Sequence, residues 1–309
     1  MTLQQLEYII AVEKYGYFVD AAEACGVTQS TLSLMVKKLE EELDVKIFNR
    51  DTHPVTTTEV GKSVISEAKL MVFHARQIKE LTTIERELST GDLSIALTAT
   101  VAPILMAGMF KYLTLYHPDI RLRMEEMIST TIAAKLKKAE IDMGILNYPV
   151  NDPDLLEIPL YHERFLAYVS PKEKTMLQAE CFEMEELMDK PLWMMKDGIR
   201  LFDRSMLRSS EPLSYEKMYE GGRVIILIQI VNENGGITIV PETHAKLMSE
   251  AVRANLRPIV NPEPQRTIGL AFRKDFIHER MMNIVVKAIK TLIPKEMLDG
   301  MIRTDYLRL

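Results

Sequence analysis

The residue types able to do chemistry in this chain crowd into one short run near its start. Thr28, Gln29, Ser30, Thr31, Ser33 and Lys37 fall close together, and Arg50 follows a little further on. Small hydroxyls and an amide at the opening of a helix exchange hydrogen bonds without bulk, and the free backbone N–H groups of a first turn can hold a phosphate. That is the chemistry of reading base edges, not of breaking bonds. With Leu32 at zero, the 3.6-residue repeat puts Met35, Val36, Leu39 and Leu43 on one stripe. Ser30, Ser33, Leu34, Lys37 and Glu41 fall opposite. On this reading Ser30, Ser33 and Lys37 face a major groove and Leu34 meets a thymine methyl, while Thr28, Gln29, Thr31 and Arg50 position the module on phosphates. The plain alternative is an ordinary helical hairpin with a solvated outer face.

Such a helix needs a turn before it and a platform behind it. Ala21, Ala22 and Ala24 allow close helix approach, Gly26 suits a left-handed turn, and Thr28 suits an N-cap. A first helix spans Leu3 to about Tyr15-Gly16, and Phe18 opens a second. After Asp44, Val45 to Phe48 and Val55 to Thr57 read as two short strands around Arg50-Asp51-Thr52-His53-Pro54. Residues 1–58 therefore read as a winged helix-turn-helix. They carry five basic against nine acidic groups, a net of −4, within a chain of net charge −6. Indiscriminate polyanion binding is excluded, and useful affinity for DNA needs a few placed cations and more than one copy per site.

Thr58-Glu59 caps a helix that runs to about Leu88, with Val60, Val64, Ala68, Met71, Ala75, Ile78, Leu81 and Leu88 on one apolar stripe. The winged module can cover its first two turns only. Residues 59–90 are thus read as a linker that dimerises with the same helix of a second chain. Strands and helices alternate from Leu93, giving a βαβαβ half to Leu146. Pro103 and Ser129 mark two helix N-termini that open at the strands' carboxyl ends. Further strands are expected at Phe165 to Pro171, Gly235 to Pro241 and Thr267 to Arg273, and short helices at Glu185 to Met188 and Leu201 to Leu207. Two lobes, 91–162 with 267–309 and 163–266, joined by crossovers near 161–164 and 265–267, would leave a cleft between them. The fold class is α/β.

The chain has 309 residues, 47% of them hydrophobic, with 20 Met, one Trp and two Cys. That supports two or three domains with aliphatic cores and no disulfide framework. No apolar run resembles a signal peptide or approaches the roughly 20 residues that span a bilayer, so a cytoplasmic protein with no membrane partner is expected. Phosphate loops, CxxC and HExxH are missing, and the six histidines show no metal-ligand spacing. No catalytic residues, metal site or cofactor are expected. His53, at a loop tip beside Pro54, reads as solvated.

These residues resemble the LysR-type transcriptional regulators over essentially the whole chain. The pattern is carried by Leu6-Glu7-Tyr8, Phe18, Ala21-Ala22, Val27-Thr28-Gln29-Ser30-Thr31-Leu32-Ser33, Leu39-Glu40, Leu43, Phe48, Arg50 and Thr57 to Gly61. Cys25, Thr100-Val101-Ala102-Pro103, Asp197-Gly198 and Glu263 to Leu270 are similar to the family's OxyR branch. The resemblance implies a winged reader for promoter DNA, a dimerising linker, a two-lobed effector domain similar to periplasmic binding proteins, homotetramers, and RNA polymerase as a further partner. It places the effector site at Thr100, Val101, Ser129, Asp203 and Arg266. The branch's reactive and resolving cysteines correspond here to Arg200 and Ser209. Disulfide sensing is therefore not expected, and a cysteine-independent response to oxidative stress stays open. With two guanidinium groups, Arg200 and Arg266, and two hydroxyls, the expected effector is a small anion. A different class also stays open: a two-lobed solute-binding protein or enzyme whose N-terminal module serves only association.

Overall fold

The computed structural model describes residues 1–83, 91–188, 192–195, 217–219, 222–276 and 279–300. Arg200, Asp203, Ser209 and the expected helix at Leu201 to Leu207 lie outside the described residues. The chain divides into two compact units, residues 1–89 with 134–141, and residues 90–133 with 142–309.

In the first unit, α1 (Leu3–Tyr15) starts at a reciprocal cap. The Thr2 hydroxyl accepts from the Gln5 N–H, and the Gln5 side-chain oxygen accepts from the Thr2 N–H. Gly16, at φ +71°, stops it. Next come α2 (Phe18–Ala24) and α3 (Gln29–Leu43), with Gly26 left-handed between them and Ala21 and Ala22 fully buried where the helices meet. Leu32, Val36 and Leu39 are wholly buried, as the periodicity requires. Leu43 is not. It sits in the last turn, Asp44 turns left-handed beyond it, and its side chain faces solvent.

The wing strands are shorter than their sequence runs, with β1 (Phe48–Asn49) antiparallel to β2 (Thr56–Thr57). Val45 and Ile47 join the core instead of the ladder, and the Ile47 N–H is taken by the Glu40 carboxylate at 2.8 Å.

The linker helix α4 (Glu59–Thr83) is capped by the Thr58 hydroxyl, which accepts from the Gly61 N–H at 2.9 Å. A Cβ at Gly61 would lie 2.1 Å from the Ile47 carbonyl oxygen, so only glycine lets the helix approach this closely. Val64, Ile65, Ala68 and Val72 join the core of the winged module. Cover therefore reaches to Val72, nearly four turns and not the two expected, because α1 lies along α4. Val60, Met71 (44% exposed) and Ile78 (65% exposed) remain outside it.

From Gly91 onward, β3 (Gly91–Leu97), α5 (Ala102–Tyr116), β4 (Ile120–Glu126), α6 (Ser129–Lys137) and β5 (Met143–Tyr148) form the expected βαβαβ half, its strands parallel in the order β4-β3-β5. Then β6 runs unbroken from Leu155 to Val169, longer than the strand expected at Phe165 to Pro171. After it come β7 (Phe182–Glu183), α7 (Met184–Met188), β8 (Leu192–Met195), β9 (Lys217–Tyr219), α8 (Val224–Asn234), β10 (Ile237–Pro241), α9 (Glu250–Arg253), β11 (Leu256–Val260), β12 (Gln265–Arg273) and α10 (Glu279–Leu292).

Both lobes share β6. Its first part, to Arg164, pairs with β12, which also pairs with β5; its second part pairs with β10 on one side and β11 on the other. β6 exchanges β12 for β10 and β11 as its partners between Arg164 and Phe165, and β12 begins at Gln265. Two continuous hydrogen-bonded strands at that exchange give side chains there a fixed register.

Candidate functional sites

The outward face of α3 presents the expected set. Gln29, Ser30, Thr31 and Lys37 are exposed, Ser33 is half-buried, and Leu34 is 53% exposed although flanked by polar groups. Thr28 is committed to the cap. Its hydroxyl accepts from the Thr31 N–H at 3.3 Å and lies within hydrogen-bond distance of the Ser30 and Thr31 hydroxyls. Lys37 is 3.6 Å from Glu41 at i,i+4, an exposed pairing too weak to withhold it from a phosphate. Arg50 is held more firmly. Its guanidinium donates to Glu40 at 2.7 Å and stands 5.2 Å over the Phe18 ring, so its charge is shared rather than free.

Sequence reasoning used Glu40 only as part of a motif. The structure makes it the tie between reader and wing, because one carboxylate accepts from the Ile47 N–H, the Phe48 N–H and Arg50. An acidic residue next to buried Leu39 on the reading helix is the signal that could have found it.

The second site lies at the lobe passage. Successive side chains of a strand alternate faces, so Tyr161, Glu163 and Phe165 share one face of β6. Arg266 of β12 stands opposite Glu163 in the antiparallel register, and Asn147 of β5 stands opposite Ile268, one repeat along on the same face. Their contacts follow from that placement. Arg266 Nε and Nη2 lie 2.7 and 2.5 Å from Glu163 Oε1, and Nη1 donates to the Thr100 hydroxyl at 2.8 Å and to Asn147 Oδ1 at 3.3 Å. Glu163 Oε2 accepts from the Thr243 hydroxyl at 2.5 Å and the Thr243 N–H at 3.3 Å. The Phe165 ring lies 5.6 Å from the guanidinium carbon. Both charged side chains are buried, Arg266 at 3% exposure and Glu163 at 0%.

This arrangement brings Thr100 and Arg266 together as expected but alters what they offer. The charge of Arg266 is balanced by Glu163, and Arg200, the other guanidinium of the expected pair, lies outside the described residues. Val101 is wholly buried. It bonds back to Thr98 in the turn that opens α5. Ser129 is half-buried at the first residue of α6.

His244 and Tyr161, absent from the sequence reading, join the pair. Burial first, and the charge of Arg266 second, push the His244 imidazole down to about 4, so it is neutral near pH 7. Burial first, with the charge of Glu163 second, pushes the Tyr161 phenol far up and keeps it protonated. Among the described residues, Tyr161 Oη, His244 Nδ1, Thr98 Oγ1 and Arg266 Nη2 are buried without a hydrogen-bond partner in the chain. A charged residue on the inward face of the alternating run Leu160 to Phe165 is the trace that Glu163 left in the sequence.

Two known patterns match this chain. Residues 3–62 match the bacterial regulatory helix-turn-helix proteins of the lysR family, and residues 86–292 match the LysR substrate binding domain. The chain is 28% identical over 274 residues to the DNA-binding transcriptional dual regulator OxyR of Escherichia coli (strain K12), covering 88% of this chain and 90% of that one. It is 27% identical over 304 residues to the hydrogen peroxide-inducible genes activator of Haemophilus influenzae, covering 97% and 100%. Among solved structures, a full-length cysteine-to-aspartate variant of OxyR from Pseudomonas aeruginosa superposes with a TM-score of 0.81 at 27% identity, covering 97% and 98%.

Proposed function

Because this chain belongs to the LysR family of bacterial regulators, we propose that its DNA-binding activity as an OxyR-like transcriptional regulator is exercised by the residues and elements described above. Residues 1–58 are the reader, 59–90 the linker, and 91–309 the effector domain with lobes 91–162 plus 267–309 and 163–266. Ser30, Ser33 and Lys37 meet base edges, Leu34 meets a thymine methyl, and Thr28, Gln29, Thr31 and Arg50 orient the module on phosphates. One observation carries this reading: Leu34 is held 53% exposed in the middle of the polar face of a helix whose opposite side buries Leu32, Val36 and Leu39.

The unpartnered apolar side chains Val60, Met71 and Ile78 of α4 pair two chains, so two readers share one promoter site. Dimers of this dimer and contact with RNA polymerase complete the set of partners. The site of action is the bacterial cytoplasm, and no helix among the described residues is long and apolar enough to cross a membrane. Catalysis has no part in this reading. A small effector held at the lobe passage by Thr100, Ser129, Arg200, Asp203 and Arg266 shifts the relation between lobes and so alters promoter binding.

A gel shift with the chain's own upstream region, repeated across salt, tests the reader. Ser33→Ala relaxes base preference at one position of each half-site. Arg50→Ala weakens all sequences alike and lowers the salt slope by less than one, because Glu40 already holds part of that charge. Unchanged binding after both substitutions refutes the assignment.

A further inference from the structure

Arg266 is the one cation of the candidate set among the described residues, and its charge is balanced by Glu163 although its Nη2, 2.5 Å from Glu163 Oε1, is buried without a hydrogen-bond partner. Every hydrogen-bonded partner of its guanidinium is a side chain of this chain: Glu163, Thr100 and Asn147. An anion brought against Arg266 would have to displace Glu163, leaving a buried carboxylate unpaired, or share the guanidinium with it at like-charge distance. Neither His244, held neutral by burial and by Arg266, nor Tyr161, held protonated, adds a positive charge. What the surroundings do offer is neutral. Tyr161 Oη, His244 Nδ1 and Thr98 Oγ1 are buried and unanswered by the chain; Thr98 lies two residues before Thr100, and Tyr161 two before Glu163 on the same strand face. A ligand group that both donates and accepts hydrogen bonds without carrying charge satisfies such atoms; a carboxylate only accepts.

We propose that Glu163 sets the charge preference of the effector site: by neutralising Arg266 it makes the position beside Thr100 and Asn147 a receptor for an uncharged hydrogen-bonding group, such as a carboxamide or hydroxyl, and a barrier to anions. This rests on the effector reading above. Glu163 is a specificity-determining residue in that site, and its removal converts the site into an anion receptor built on Arg266.

Probes matched in shape and differing in charge test this on the full-length chain: methanesulfonate against dimethyl sulfone, and acetate against acetamide, measured by calorimetry and thermal shift. In the unaltered chain the neutral member of each pair binds at least about tenfold tighter. In Glu163→Gln the order reverses, with anion affinity rising about tenfold or more, the range of a charge-assisted hydrogen bond. Joining Arg266→Gln to it removes the gain. Should Glu163→Gln not fold in dilute buffer, methanesulfonate restores its folding and dimethyl sulfone does not; restoration by neither overturns the proposal. So does methanesulfonate binding to the unaltered chain that the double variant abolishes, or a folded Glu163→Gln chain with no gain for anions. A gel shift on the same preparations separates this from the regulator reading. Lost promoter binding would refute the reader assignment and leave the charge preference measurable.

Discussion

Replacing Glu40 by alanine removes the tie that fixes the wing to the reading helix. Its carboxylate accepts from the Ile47 N–H at 2.8 Å and the Phe48 N–H at 3.2 Å, and its second oxygen pairs with Arg50 at 2.7 Å. Ile47 is wholly buried, so its N–H gains no water when the carboxylate goes. An orphaned buried donor costs about 1–3 kcal/mol, and the second, longer bond adds about 1 kcal/mol. The Arg50 pair is worth only about 0.5 kcal/mol, because Arg50 is 40% exposed and solvent screens it. The total for Glu40→Ala is about 2.5–4.5 kcal/mol, against about 0.5 kcal/mol for Arg50→Ala. Glu40→Gln keeps a neutral acceptor and falls between them. Hydrogen exchange at the Ile47 and Phe48 amides reads this locally, where about 2.7 kcal/mol means opening about a hundredfold more often. DNA affinity falls with it for every sequence alike, since the wing carries Arg50 and no base contact is touched. Exchange at Ile47 unchanged in Glu40→Ala, or Arg50→Ala costing as much as Glu40→Ala, refutes the reasoning.

Met71→Glu with Ile78→Lys places charges on the uncovered face of α4, away from the core formed by Ile65, Ala68 and Val72. The expected product is a folded monomer with weakened promoter binding, and a light-scattering mass still at dimer or above counts against the pairing. For His244, the folded value of about 4 lies below the unfolded 6.5, so the unfolded chain binds the extra proton between them. Stability is fully present above pH 6.5 and is lost as pH falls toward 4, by up to about 3 kcal/mol. Urea unfolding followed through Trp193 measures this, and His244→Gln flattens that part of the profile; an unchanged slope would show that His244 is not its source.

What the sequence determined by itself is what depends on near neighbours along the chain. The reading helix was legible because Thr28, Gly26 and the buried Leu32, Val36 and Leu39 act within one or two turns of each other. The βαβαβ half was legible because alternation and breaker residues mark strand ends locally. The stripe on α4 was legible as apolar, but not how it divides between the winged module and solvent. That division depends on where α1 lies, a contact between residues far apart in sequence. The same limit governs the effector site. Thr100 and Arg266 could be matched by pattern, yet the charge they present is decided by Glu163, which stands opposite Arg266 only once β6 and β12 pair in register. An ion pair between residues so distant in sequence leaves a single inward-facing carboxylate as its local trace. Whether a guanidinium is a free cation or half of a neutral buried pair is therefore a property of the folded sheet, since only tertiary pairing supplies its counter-charge and removes the water that would screen it.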